Sequence, residues 1–183
     1  MLELNVKESK DYQDLKSIIL SNKFPWFIEQ YGDKHTKDKF EFLTHTVVKR
    51  GQDKPNSFIY EPTLKFLQAC ALRYEFKVKQ IYRMAFNLTY PCYLEKSGIH
   101  TDLFNNHKTI IIYLKNDEHE LGTIIYDKMI EENETSTFTN DKNISILKKI
   151  TGKEDTGIMF DGRYYHEAFF PKKDKRIALI VNI

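Results

Sequence analysis

The chain has 183 residues, 41% apolar and 14% aromatic, enough for one substantial core without cross-links. Its 28 basic and 26 acidic residues leave a formal charge of +2, so composition makes no case for a nucleic-acid binder. Two cysteines, Cys70 and Cys92, fall in no zinc-finger or CxxC spacing and exclude a disulfide framework, and no apolar run approaches the roughly 18 residues of a membrane span.

The N-terminal stretch MLELNVKESKDY is charged and lacks the long apolar segment of a signal peptide, so a soluble cytoplasmic protein is expected. Leu15, Ile18, Ile19 and Leu20 lie near helical spacing until Pro25 stops the pattern. FEFLTHTVVKRG, residues 40–51, is rich in strand formers. In YEPTLKFLQACALRYEF, Leu64, Leu67, Cys70, Ala71 and Tyr74 form an apolar stripe at helical period, with Pro62 near its start. Beyond it nearly everything reads as strand: VKQIYRMAFNL, TIIIYLK, GTIIYD, ISILKKI, TGIMF, YYHEAFF and RIALIVNI. Turn sequences such as NDEHELG, TGKEDTG, DG and PKKDK separate them. The polar stretch EENETSTFTNDKN, residues 131–143, reads as a long loop poor in core residues.

Helices early and short strands late predict a mostly β (α+β) fold. The expected architecture is a double-stranded β-helix, or jelly roll, with supporting N-terminal helices. A single domain, 1–183, is expected, with residues 1–76 as helical and β support and residues 77–183 as the jelly-roll core.

One constellation carries chemistry. His100 and Asp102 stand two apart at the mouth of an apolar run, and in a strand such a pair faces one side. His166 follows in a later strand-like segment after the Asp161–Gly162 turn, and Arg176 opens the last strand. Two imidazoles and one carboxylate make the facial triad of non-haem iron(II) oxygenases. An arginine at the start of an apolar strand has little reason to point inward unless an anion neutralises it. On the strand before the site, Arg83, Ala85 and Asn87 share one face, so Arg83 and Asn87 are candidate substrate-binding residues, alternatively an outward face. Arg163, just ahead of the His166 strand, is a further candidate, with a solvated turn arginine as the other reading. His107 and His119 are expected at the surface, and His35 and His45 have no partner pattern.

These segments resemble the iron(II)- and 2-oxoglutarate-dependent oxygenases, specifically their small prolyl-hydroxylase-like members. GIHTD, IIIYLKN, TIIYD, GIMFDGRYYHEA and KRIALIVNI are similar to the family's successive motifs. The resemblance implies an enzyme in which His100, Asp102 and His166 hold Fe(II). It implies that Arg176 and Tyr113 bind the distal carboxylate of 2-oxoglutarate, and it places Tyr90 like a pocket tyrosine of the animal prolyl hydroxylases. The implied reaction consumes O2 and hydroxylates an unactivated C–H bond, with succinate and CO2 as co-products. The implied partner is a protein, peptide or small-molecule substrate, a peptidyl or free amino acid such as proline in particular. Two alternatives stand beside this reading: a cupin-like metal-binding module without oxygenase activity, and the same chemistry on a nucleobase. Near-neutral charge argues against the latter, while the basic turn at residues 171–176 keeps it in view.

Overall fold

The computed structural model describes residues 1–31, 40–52, 54–116, 121–132, 134–141 and 143–183. His35 and His119 lie outside the described residues. The elements in chain order are β1 (Leu2–Asn5), α1 (Lys10–Ile19), β2 (Phe27–Tyr31), β3 (Phe40–Val48), α2 (Tyr60–Arg73) and β4 (Arg83–Thr89). They continue with β5 (Lys108–Lys115), β6 (Leu121–Met129), β7 (Ile146–Thr151), β8 (Thr156–Asp161), β9 (Tyr164–Ala168) and β10 (Arg176–Asn182).

The strands form two antiparallel sheets, a jelly roll braced by the two helices. The larger has the order β1-β8-β5-β10-β4-β3-β2 and the smaller β7-β6-β9. β10 lies at the centre of the larger sheet, hydrogen-bonded to β5 on one side and β4 on the other.

The pleat sorts the residues of the central strands onto two faces. Met84, Phe86 and Leu88 of β4, Ile110, Ile112 and Leu114 of β5, and Ile177, Leu179 and Val181 of β10 pack on one side with the helices. The helices answer with Tyr12, Leu15 and Ile19 from α1 and Phe66, Leu67 and Cys70 from α2. The alternate residues of β5 and β10, among them Ile111, Tyr113 and Ala178, pack between the sheets with Ile125, Ile150, Ile158 and Phe160. On β4 and β10 that same face carries Arg83, Asn87, Arg176 and Asn182, so it is the polar one.

α1 begins at Ser9, whose Oγ accepts the Tyr12 amide at 3.3 Å, a normal N-cap. Its buried face is Tyr12, Leu15 and Ile19, whereas Ile18 and Leu20, expected on the apolar stripe, are exposed. The stripe of α2 is likewise rotated from the expected one: Thr63 and Phe66 are buried, while Leu64 and Tyr74 are only partly so. Thr63 is accommodated in the core because its hydroxyl donates to the Ile59 carbonyl at 2.7 Å. Two strands went unpredicted: β1, which pairs with β8, and β2, which pairs with β3. Among the described residues no helix is long and apolar enough to cross a membrane.

Candidate metal centre

His100 and Asp102 do not lie on a strand. His100 forms isolated bridges to His166 and to Phe138, and Asp102 sits in the bend that follows, ahead of β5. The bridge is reciprocal, the His100 amide donating to the His166 carbonyl at 2.9 Å and the His166 amide to that of His100 at 2.8 Å. Direct pairing of the two histidines, rather than strand alternation, brings their ring centroids to 4.6 Å.

One potential ligand atom from each of His100, Asp102 and His166 lies within 4.8 Å of the others. Backbone carbonyls fix the orientation of both imidazoles. Nδ1 of His100 donates to the Gly98 carbonyl at 2.8 Å, and Nδ1 of His166 to that of Tyr164 at 3.1 Å. Each Nδ1 thereby carries a proton, and Nε2 is the ring atom turned to a metal. Burial, reinforced by the neighbouring His166, pushes the His100 pKa down to about 4, so the ring is neutral and available as a ligand at ordinary pH. Burial alone would raise the Asp102 pKa, but His166, Arg83, His100 and the Asn182 hydrogen bond outweigh it and hold the carboxylate ionised. Asn182 Nδ2 donates to Asp102 Oδ2 at 2.9 Å, and an Arg50 guanidinium nitrogen lies 3.7 Å from Oδ1.

The three residues border a cavity of about 1280 Å³ between the sheets. Arg176 and Tyr113 line it as well, and both are buried. Arg176 Nη1 donates to the carbonyls of Gly122, at 3.1 Å, and Phe169. The Tyr113 hydroxyl pairs with Thr123 Oγ1 at 2.7 Å. Burial raises the Tyr113 pKa, opposed by Thr123 and by the Arg176 charge, so the phenol stays protonated and able to donate.

The remaining candidates divide. Arg83 and Asn87 face the cavity, correcting the outward alternative, and Asn87 Oδ1 accepts from the Thr44 hydroxyl at 3.0 Å. Tyr90 is 52% exposed and is not among the cavity residues. Arg163 also stands away from the cavity, where Asp161 takes its Nε at 3.1 Å and its Nη2 at 2.7 Å. His107, expected at the surface, is buried instead, with its ring against the backbone of Gly162. His45 is buried at the cavity wall, bonded to the Pro25 carbonyl at 2.7 Å and the Ser57 hydroxyl at 2.6 Å.

Sequence reasoning missed Asn182, Arg50 and the loop at residues 131–143. Asn182 was legible as a polar residue on the Arg176 face of an otherwise apolar strand, six positions on. The loop forms one wall of the cavity through Thr135, Ser136, Thr137 and Phe138, and the Phe138 ring stacks on His100 with centroids 5.6 Å apart.

No protein-family model matches the chain, and no curated protein matches it either. Solved structures do. A 2OG-Fe(II) oxygenase family oxidoreductase from Burkholderia pseudomallei superposes with a TM-score of 0.59 at 14% identity, over 93% of this chain and 76% of that one. The non-haem alpha-ketoglutarate-dependent carbocyclase SnoK from nogalamycin biosynthesis gives 0.65 at 12% identity, over 99% and 78%. The epimerase SnoN, in complex with Fe3+, alpha-ketoglutarate and nogalamycin RO, gives 0.63 at 8% identity, over 99% and 77%. The chain therefore has the fold of the 2-oxoglutarate and iron(II) oxygenases.

Proposed function

We propose that this protein is an iron(II)- and 2-oxoglutarate-dependent dioxygenase that hydroxylates an unactivated C–H bond, with a peptidyl or free amino acid, such as proline, or another small molecule as substrate. The observation that carries the reading is one cavity holding both a convergent His100–Asp102–His166 set and the buried Arg176 guanidinium. The donor set suits the metal: two imidazoles, each held at Nδ1 by a backbone carbonyl, and one ionised carboxylate leave coordination positions open. Arg176 suits the co-substrate, because a guanidinium takes a carboxylate bidentately and Tyr113 offers a hydroxyl in the same cavity. A metal-binding module without oxygenase activity has no need of that buried cation. Iron and 2-oxoglutarate, when bound, supply the oxidative decarboxylation that activates dioxygen, with succinate and CO2 as co-products.

The chain's own residues orient and enclose. The Gly98 and Tyr164 carbonyls hold the histidine rings, Asn182 holds the Asp102 carboxylate, and Phe138 shields the outer face of His100. Anaerobic addition of Fe(II) and 2-oxoglutarate should give the visible charge-transfer band of the chelate, lost in His100→Ala and in His166→Ala. Tight iron binding by both variants would remove the triad. A substrate screen by mass spectrometry, across peptides, amino acids and nucleic acids, should give a product heavier by one oxygen atom.

A further inference from the structure

Arg176 is not the only guanidinium in the cavity. Arg83 projects into it from β4, and Arg50 and Lys49 line the same wall. Among the described residues the Arg83 side chain makes no hydrogen bond or ion pair, and the residue is partly buried. Burial and the like charge of Arg50 depress its pKa, while Asp102 and Glu29 oppose them. The Asp102 carboxylate is already engaged by Asn182 and, at 3.7 Å, by Arg50. It is also the carboxylate placed to ligate a metal, which would take up its charge.

The register separates this cation from the other one. Arg83 lies opposite Asn182 and Thr89 opposite Arg176, so the two arginine backbones stand six register positions apart. At about 3.3 Å per residue that is roughly 20 Å along the strands, with the metal ligands at the Arg83 end. Around the mouth, Phe27, Phe58 and Phe104 line the cavity with 60%, 67% and 53% of their surface exposed. A guanidinium drawn out of bulk water without a partner is costly, and large exposed apolar rings lining the same cavity favour an amphipathic occupant.

The geometry points to a second anion subsite: Arg83, flanked by Arg50, receives a carboxylate or phosphate of the substrate, whose apolar body lies along Phe27, Phe58 and Phe104. This rests on the oxygenase reading of the cavity and narrows its substrate to an organic acid or phosphate with an apolar body, rather than an internal peptidyl residue.

The test uses two fluorescent probes of similar shape, anilinonaphthalene sulfonate, whose sulfonate stands in for the anion, and uncharged phenylnaphthylamine. Both are titrated into the full chain with and without manganese and 2-oxoglutarate. Arg83→Ala should weaken the sulfonate probe by about tenfold or more and leave the neutral probe within about twofold, since a hydrogen bond to a charged group accounts for a change of that size. Arg83→Lys should recover part of the loss, and Arg50→Ala should show a smaller one. Arg83→Gln, which keeps the bulk, repeats the measurement should the alanine variant fail to fold. Displacement of the probe by acetate or by inorganic phosphate supports the subsite and tells which head group it prefers, whereas displacement by neither overturns it. Equal loss of both probes overturns it too. So does a fall in calorimetric 2-oxoglutarate affinity in Arg83→Ala with the sulfonate probe unaffected. Failure of the oxygenase reading has a separate signature: no 2-oxoglutarate binding by the wild type, with the probe titrations without manganese still intact.

Discussion

A single amide nitrogen of Asn182 donates to both Asp102 Oδ2, at 2.9 Å, and Thr109 Oγ1, at 3.0 Å. It ties the bend that carries the carboxylate to the central strand of the larger sheet. Asn182→Ala should therefore leave the fold largely intact but weaken metal binding, by about 10–100-fold for a partner of this kind. Calorimetric titration with manganese or iron(II) checks it. Asn182→Asp should be worse, since a second carboxylate beside Asp102 replaces a donor with a like charge.

Arg176→Ala should weaken 2-oxoglutarate by at least about tenfold, because a hydrogen bond between charged groups contributes about 1.5–3 kcal/mol. Arg176→Lys should restore only part, as an ammonium lacks the planar fork. Metal affinity should hardly change. Manganese in place of iron allows the measurement without turnover, and equal affinity in wild type and Arg176→Ala would remove the co-substrate role.

Gly162 has no room for a side chain. A Cβ there would run into the His107 ring, which is itself buried. Gly162→Ala should destabilise the protein by about 1–3 kcal/mol, the usual cost of overpacking. Pairing it with a smaller residue at His107 should recover part of the loss in thermal melts.

The two cysteines should differ sharply in reactivity. Cys70 is buried on α2, and burial, only partly opposed by Arg73, pushes its thiol up to about 12 from the usual 9.0. Cys92 is exposed. Alkylation at pH 8 should modify Cys92 in the native protein and Cys70 only after denaturation, as read by mass spectrometry. The folded state holds the Cys70 proton more tightly, so its contribution to stability is complete below about pH 9 and is lost as pH rises towards 12.

Phe138→Ala should speed loss of bound metal to a chelator by a few-fold, on the order of the 0.5–1.5 kcal/mol of an aromatic contact, without unfolding the protein. An unchanged release rate would show that the loop does not shield His100.

The central strands were readable because they meet apolar layers: apolar residues recur at every second position of β4, Met84, Phe86 and Leu88, and of β10, Ile177, Leu179 and Val181, and fill β5 almost throughout. β2 escaped because Phe27 and Ile28 are both exposed, 60% and 73%, which erases the alternation that marks a half-buried strand. β1 is only four residues long and is specified by its partner β8 rather than by its own pattern. The candidate metal-ligand set was legible as residue types in order, yet the contact that joins its histidines is a backbone bridge between residues 66 positions apart, which no local period encodes. The polar loop at residues 131–143 could not announce itself as a cavity wall, since its only large apolar side chain is Phe138. Tyr90 was singled out by the family resemblance and Arg163 by its place just ahead of the His166 strand, and neither says which way a side chain turns beside a strand.

The central place of β10 has a consequence for biosynthesis. β4 can pair with β3 as soon as both have emerged, and β5 can close on β8, but the two partial sheets have no seam until β10 arrives between them. That strand follows β4 by roughly 90 residues, about 4.5–18 s at ordinary translation rates. During that interval β4, and β5 once it has been made, each leave an edge of unpaired backbone groups, the kind of surface that nascent chains lose to aggregation or lend to chaperones. Ribosome pausing within the 131–143 loop would lengthen the exposure, so the yield of folded protein should respond to codon usage there more than in the helices.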